Sequence, residues 1–232
     1  PNTTIGNTYI NSLTHVMITK SLITFRAAYL GDDMIGVASK AEIIQVYGSL
    51  EYFQEHVQNS FKSYGLEAKC FVTQSLAKVE FCSQLFWPTL DSYVLAPKPG
   101  RFIYRSGWTC SSEVLNPETI RKHNANLALS VQANHAPVIR KLLEFYTELC
   151  RPTESDRKFD EEYWRISSSK KHEVCPKTSE FFLERYGVDY DFIEQQFVEF
   201  LNTVKELPHI SDLPDCLQLL LPADMPILSN KY

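Results

Sequence analysis

The chain has 232 residues, of which 44% are hydrophobic and 22% charged, and it carries a net charge of -5. That balance gives a globular protein enough apolar residues for a core, and it excludes coating nucleic acid through bulk positive charge, though not through a local basic groove. Six cysteines without a C-x-x-C pair read as reduced thiols of a cytosolic protein, there is no secretory signal, and no apolar run reaches the roughly 18 residues of a membrane span.

TTIGNTYINSLTHVMITK places Ile5, Tyr9, Ile10, Leu13, Val16 and Met17 three and four residues apart, predicting a helix with Asn2 or Thr3 as its N-cap. Gly6 weakens that helix by about 1 kcal/mol relative to alanine, so it predicts a close approach to the backbone. FRAAYL and MIGVA, joined by Gly-Asp-Asp, predict a β-hairpin with buried flanks. From Glu42 to Tyr64, Ile44, Val46, Leu50, Phe53, Val57 and Phe61 recur at helical spacing, and Gly65 closes the helix. LEAKCFV, KVEFCSQLFW and DSYVLAP read as short strands, and KPGRFIYRSGW as a Pro-Gly turn followed by an extended stretch.

The character changes at Asn116-Pro117. PETIRKHNANLALSVQ, APVIRKLLEFYTELC, SEFFLERYG and DFIEQQFVEFLNTVKEL all read as helices, with a polar connector around 151–177. The last stretch, SDLPDCLQLLLPADMPILSNKY, is proline-rich and reads as an extended tail. The predicted class is α+β: a small antiparallel sheet packed on helices over residues 1–110, then a mainly helical half over 111–232. The chain opens on Pro1 with a helix almost at once, which predicts a piece of something longer.

Asp32 and Asp33 stand side by side at the hairpin tip. At about 4 Å two like charges repel by about 4 kcal/mol at an effective dielectric near 20, so a positive partner is expected. Mg²⁺ suits such a pair, because it is small and hard and prefers carboxylate oxygens; Mn²⁺ is the other candidate. Gly31 tolerates positive φ in the turn and adds no side chain beside the metal. The tripeptide alone fits a solvated hairpin tip better than a metal site, and it is the apolar flanks and the neighbouring segments that favour the metal. Thr3 and Asn7, four apart on a helix, project from one face, where a hydroxyl and an amide can read a ribose 2′-OH.

In order, T-x-x-x-N on a helix, YLGDD on a hairpin, a further helix and VEFCSQLFWP resemble the palm of a viral RNA-directed RNA polymerase. The similarity is to positive-strand viruses of the tombusvirus and nodavirus kind, and it covers residues 1 to about 108. YLGDD matches the family's motif C and VEFCSQ its motif E, the primer grip. The Ser-Gly pair of motif B, the aspartate of motif A and the fingers would lie upstream of Pro1. The resemblance makes residues 1–110 a partial palm and 111–232 a thumb, although no motif marks the thumb.

The resemblance implies nucleotidyl transfer from ribonucleoside triphosphates to an RNA 3′-hydroxyl, with two metal ions clamping attacking and leaving oxygens. Asp32 and Asp33 would be metal ligands and Gly31 would shape their turn. Thr3 and Asn7 would select ribonucleotides. Lys69 is the preferred general acid for pyrophosphate, with Lys78 as the other candidate. Phe81, Cys82 and Ser83 would touch the growing strand. Lys98, Arg101 and Arg105 would track RNA phosphates, since residues 98–140 hold six basic and two acidic side chains, a net of +4. For each of these lysines and arginines, an ordinary solvated charge is the competing reading. Template and product RNA are the expected partners, at membrane-associated replication complexes in a host cytoplasm. A reverse transcriptase palm and a non-catalytic interaction module are the rivals, and the chain alone is expected to be inactive.

Overall fold

A computed structural model describes residues 2–105, 135–150, 175–204 and 213–225, in which helices mix with small antiparallel sheets. The α+β expectation holds at that level. The chain divides into Pro1–Cys82 and Ser83–Tyr232.

In the first unit, α1 (Asn2–Thr19) is followed by a hairpin of β1 (Arg26–Leu30) and β2 (Asp33–Val37). The strands pair antiparallel from Arg26 opposite Val37 to Leu30 opposite Asp33. Where one helix was expected over 42–64, the chain forms α2 (Lys40–Tyr47) and α3 (Leu50–Ser63). Gly48, at φ 83, stops α2, and Ser49 starts α3 by accepting the Tyr52 N–H on its side chain. The signal was the Gly-Ser dipeptide, masked by apolar spacing that runs through it.

Phe53, Val57 and Phe61 lie on one face of α3 and form the buried core with Leu22 and Ile43. Each such side chain contributes roughly 1.5–3 kcal/mol when fully buried. Glu42 on α2 accepts hydrogen bonds from the N–H groups of Ile23 and Thr24 and from the Thr24 hydroxyl, tying α2 to the loop before β1. The Thr24 hydroxyl, more than the backbone donors, holds the Glu42 carboxyl below its ordinary range, against an opposing effect of burial.

LEAKCFV is not a strand. Its alternation survives without a ladder: Leu66, Ala68, Cys70 and Val72 pack on the core while Glu67, Lys69 and Phe71 are exposed. Backbone groups that a neighbouring strand would satisfy are met by α3 instead, as the Val72 N–H donates to Gln54 Oε1 at 2.9 Å and Gln58 Nε2 donates to the Cys70 carbonyl at 3.3 Å. A 3₁₀ turn (Leu76–Lys78) and the two-residue β3 (Glu80–Phe81) close the unit.

The second unit opens with the hairpin of β4 (Gln84–Pro88) and β5 (Tyr93–Pro97), paired antiparallel, then α4 (Pro99–Arg105). KPGRFIYR is thus helical rather than extended, because proline suits the first helical position, where its missing N–H costs nothing. α5 (Ile139–Cys150), α6 (Lys177–Tyr186) and α7 (Tyr190–Thr203) follow, with Asp189 capping the Phe192 N–H and Gly187 in the left-handed region after α6. Over 213–225, the described part of the expected extended tail, the chain forms two single turns, α8 (Asp215–Gln218) and α9 (Leu221–Asp224). The helix expected from residue 117 and most of the 151–177 connector lie outside the described residues.

The boundary falls at Cys82 rather than near 110 because β4 and β5 pack with the helical half. Trp87 of β4 is fully buried against Phe181 and Phe182 of α6, with ring centroids 5.0 and 6.3 Å away. A buried aromatic cluster outweighs the strand-versus-helix composition on which the sequence boundary rested.

Candidate functional site

Among the described residues the expected apolar face of α1 is open. Ile5, Tyr9, Leu13 and Val16 are 70%, 64%, 47% and 60% exposed. The opposite, polar stripe of Thr8, Asn11, His15 and Thr19 faces inward instead. Thr8 Oγ1 accepts the Gly31 N–H at 2.6 Å, and Asn11 Nδ2 donates to the Gly31 carbonyl at 2.8 Å. His15 Nδ1 and the Tyr29 hydroxyl lie 2.9 Å apart, and the Thr19 hydroxyl donates to the His15 carbonyl at 2.8 Å. Partners on the hairpin for Thr8, Asn11 and His15, and the helix's own carbonyl for Thr19, compensate these polar groups for lost water, as burial requires.

His15 is buried beside Phe25, Tyr29 and Phe61, with ring centroids at 4.6, 5.9 and 6.4 Å. Burial among these rings lowers its pKa to about 4, so the imidazole is neutral near pH 7. Burial likewise raises the Tyr29 hydroxyl.

At the tip, Gly31 is buried with φ 63, as its role in the turn required, whereas Asp32 and Asp33 are exposed. The flanks expected to be buried are largely open, with Leu30 54% and Val37 68% exposed. Asn7 is exposed one helical turn before Asn11, which binds the carboxylate turn. Thr3 lies on α1, but its side chain is outside the described part. Gly6 is exposed, and a Cβ there meets nothing within 4 Å among the described residues; the expected close approach is absent from them.

Cys82 joins this neighbourhood too. Its thiol is pushed up by burial and by the Asp33 carboxylate, to which it is hydrogen-bonded, with a smaller push from Asp32. Cys82 and Ser83 both adopt positive φ, 52 and 62, where non-glycine residues are strained. Phe81 and Ser83 are half-buried. Lys69 and Lys78 are exposed, Lys69 in the extended segment beside α3 and Lys78 at the end of the 3₁₀ turn.

Within the second unit, Arg101 is half-buried on α4, and the Arg105 side chain is outside the described part. Lys98 departs most from expectation: it is only 4% exposed, an interior position that does not present its ammonium to an RNA backbone.

Asp32 and Asp33 offer the hard oxygen donors that Mg²⁺ takes, and in that sense they fit it. Among the described residues no group of three or more His, Cys, Asp or Glu side chains is placed to hold a metal ion. No helix among them is long and apolar enough to cross a membrane.

Sequence reasoning missed Thr8, Asn11 and His15. Their signal was present: a polar stripe at i, i+3 and i+7 beside an apolar one, which reads as solvent-facing until a partner is seen. Comparison with protein-family models, curated proteins and solved structures finds no match to this chain.

Proposed function

We propose that the chain is part of a viral RNA-directed RNA polymerase, contributing the carboxylate turn of the palm and a helical thumb. The observation that supports this most is the docking of α1 on the Gly31–Asp33 turn through Thr8 and Asn11. The resemblance needs the helix with T-x-x-x-N and the turn with two aspartates to work on one nucleotide, and these two elements are adjacent.

In this reading Asp32 and Asp33 would hold Mg²⁺, which when bound would supply positive charge for the triphosphate and for the 3′-hydroxyl as it loses its proton. Asn7 hydrogen-bonds the ribose hydroxyl of the incoming nucleotide, and Thr3 supports it. Lys69, exposed and solvated, donates a proton to the departing pyrophosphate. Cys82 and its neighbours Phe81 and Ser83 touch the growing strand, and Arg101 tracks template or product RNA.

The test is Asp32→Ala in the full-length protein, assayed with ribo- and deoxyribonucleoside triphosphates on an RNA template. Synthesis specific for ribonucleotides and lost in the variant supports the proposal. Preference for deoxyribonucleotides supports a reverse transcriptase instead. One observation favours a second reading, an interaction module: the apolar stripe of α1 is open. In that case Asp32→Ala leaves the protein's role unchanged.

A further inference from the structure

We infer that Thr8 and Asn11 are positioning residues that select the turn type at Gly31–Asp32 and thereby aim the two carboxylates. The link to metal binding rests on the polymerase reading, whereas the clamp rests on geometry alone.

Three residues apart on α1, Thr8 and Asn11 share a face and reach one glycine. Thr8 Oγ1 accepts its N–H, and Asn11 Nδ2 donates to its carbonyl. Those two groups belong to different peptides. The N–H is on the Leu30–Gly31 peptide, and the carbonyl is on Gly31–Asp32, the central peptide of the turn. Rotation of that central peptide is what converts one tight turn type into another.

Gly31 has φ 63, and Asp32 is not among the residues with positive φ. A glycine with positive φ followed by a residue with negative φ is the pattern of the hairpin turn II′; the alternative, I′, needs positive φ at both. A flip of the central peptide would carry Asp32 into the left-handed region and redirect its Cβ. Asn11 holds the carbonyl that would have to move, and Thr8 anchors the peptide before it. The direction of Asp32 relative to Asp33 is therefore set from the helix.

The experiment uses the whole chain, isotopically labelled, with hydrogen exchange at the Gly31 and Asp32 amides and proton–proton contacts across Gly31–Asp32 as readouts. Mn²⁺-induced line broadening at the turn reports metal binding, and exchange in α3 reports the fold. Thr8→Val keeps shape and removes the acceptor, Thr8→Ser restores it, and Asn11→Leu removes the donor.

Thr8→Val is expected to speed exchange at Gly31 by about fivefold, the factor a ~1 kcal/mol hydrogen bond supplies, with α3 unchanged and Thr8→Ser close to wild type. Asn11→Leu is expected to change the contact pattern across Gly31–Asp32 and weaken Mn²⁺ broadening several-fold. Unchanged Gly31 exchange in Thr8→Val overturns the clamp, as does an unchanged contact pattern in Asn11→Leu. If Asn11→Leu unfolds the unit, the comparison of Thr8→Val with Thr8→Ser decides. A wild-type turn that binds no Mn²⁺ while both variants loosen it leaves the clamp standing and removes support from the polymerase reading.

Discussion

His15 makes the first unit acid-sensitive. Its pKa falls from 6.5 to about 4 on folding because burial disfavours the imidazolium. The unfolded chain therefore binds more protons between these values, and stability drops as pH falls from 6.5 towards 4. The loss is on the order of 3 kcal/mol for a shift of this size. Denaturation of the chain from pH 7 to 4.5, followed by amide exchange in α3, should show the decline, and His15→Asn should flatten it. The strain at Ser83 offers a separate check. Its φ of 62 suits glycine, so Ser83→Gly should stabilise the turn by about 1 kcal/mol in thermal unfolding.

Helix α4 is held by a segment more than a hundred residues away in sequence. Asp224 Oδ2 accepts the Gly100 N–H at 2.8 Å, its other oxygen accepts from Arg185 Nη2 at 3.1 Å, and the Tyr186 hydroxyl lies 3.0 Å from both. Burial raises the Asp224 carboxyl above its ordinary range, and Arg185 opposes that as the first of several compensating partners. Removing one member of a buried ion pair strands the other, so Asp224→Ala should cost about 3 kcal/mol or more by urea denaturation, and Tyr186→Phe only about 1 kcal/mol. Gly100 is needed for a different reason: a Cβ there would stand 2.9 Å from the Leu220 carbonyl oxygen, which is backbone and cannot swing away. Gly100→Ala should therefore destabilise α4 although alanine is the better helix former. The extended segment at 66–72 depends on α3 in the same way, and Gln54→Ala should speed exchange at Val72 selectively.

The two units give separable signals. Trp87 is buried in the second unit, and the described part of the first unit, residues 2–82, contains no tryptophan, so the fluorescence of Trp87 follows the second unit. Asp224→Ala should shift the fluorescence transition while exchange in α3 is unmoved, and His15→Asn should do the reverse. Catalysis is a property of a larger assembly in the proposed reading. With two carboxylates and no third ligand grouped with them among the described residues, the chain alone should give no primer extension with Mg²⁺.

What the amino-acid sequence determined by itself was local: the helix spacing of α1, α3, α6 and α7, and the tight turn at Gly31, each set by residues a few positions apart. The alternation over 66–72 was legible too, but not that glutamines of α3, rather than a strand, satisfy its backbone. Only tertiary structure decided which face of α1 docks. Apolar spacing identifies a face that water disfavours, whereas Thr8, Asn11 and His15 found hydrogen-bond partners whose positions exist only once the hairpin has formed. The Asp224 cap on α4 was likewise beyond reading, because it depends on contacts made by chain far away in sequence.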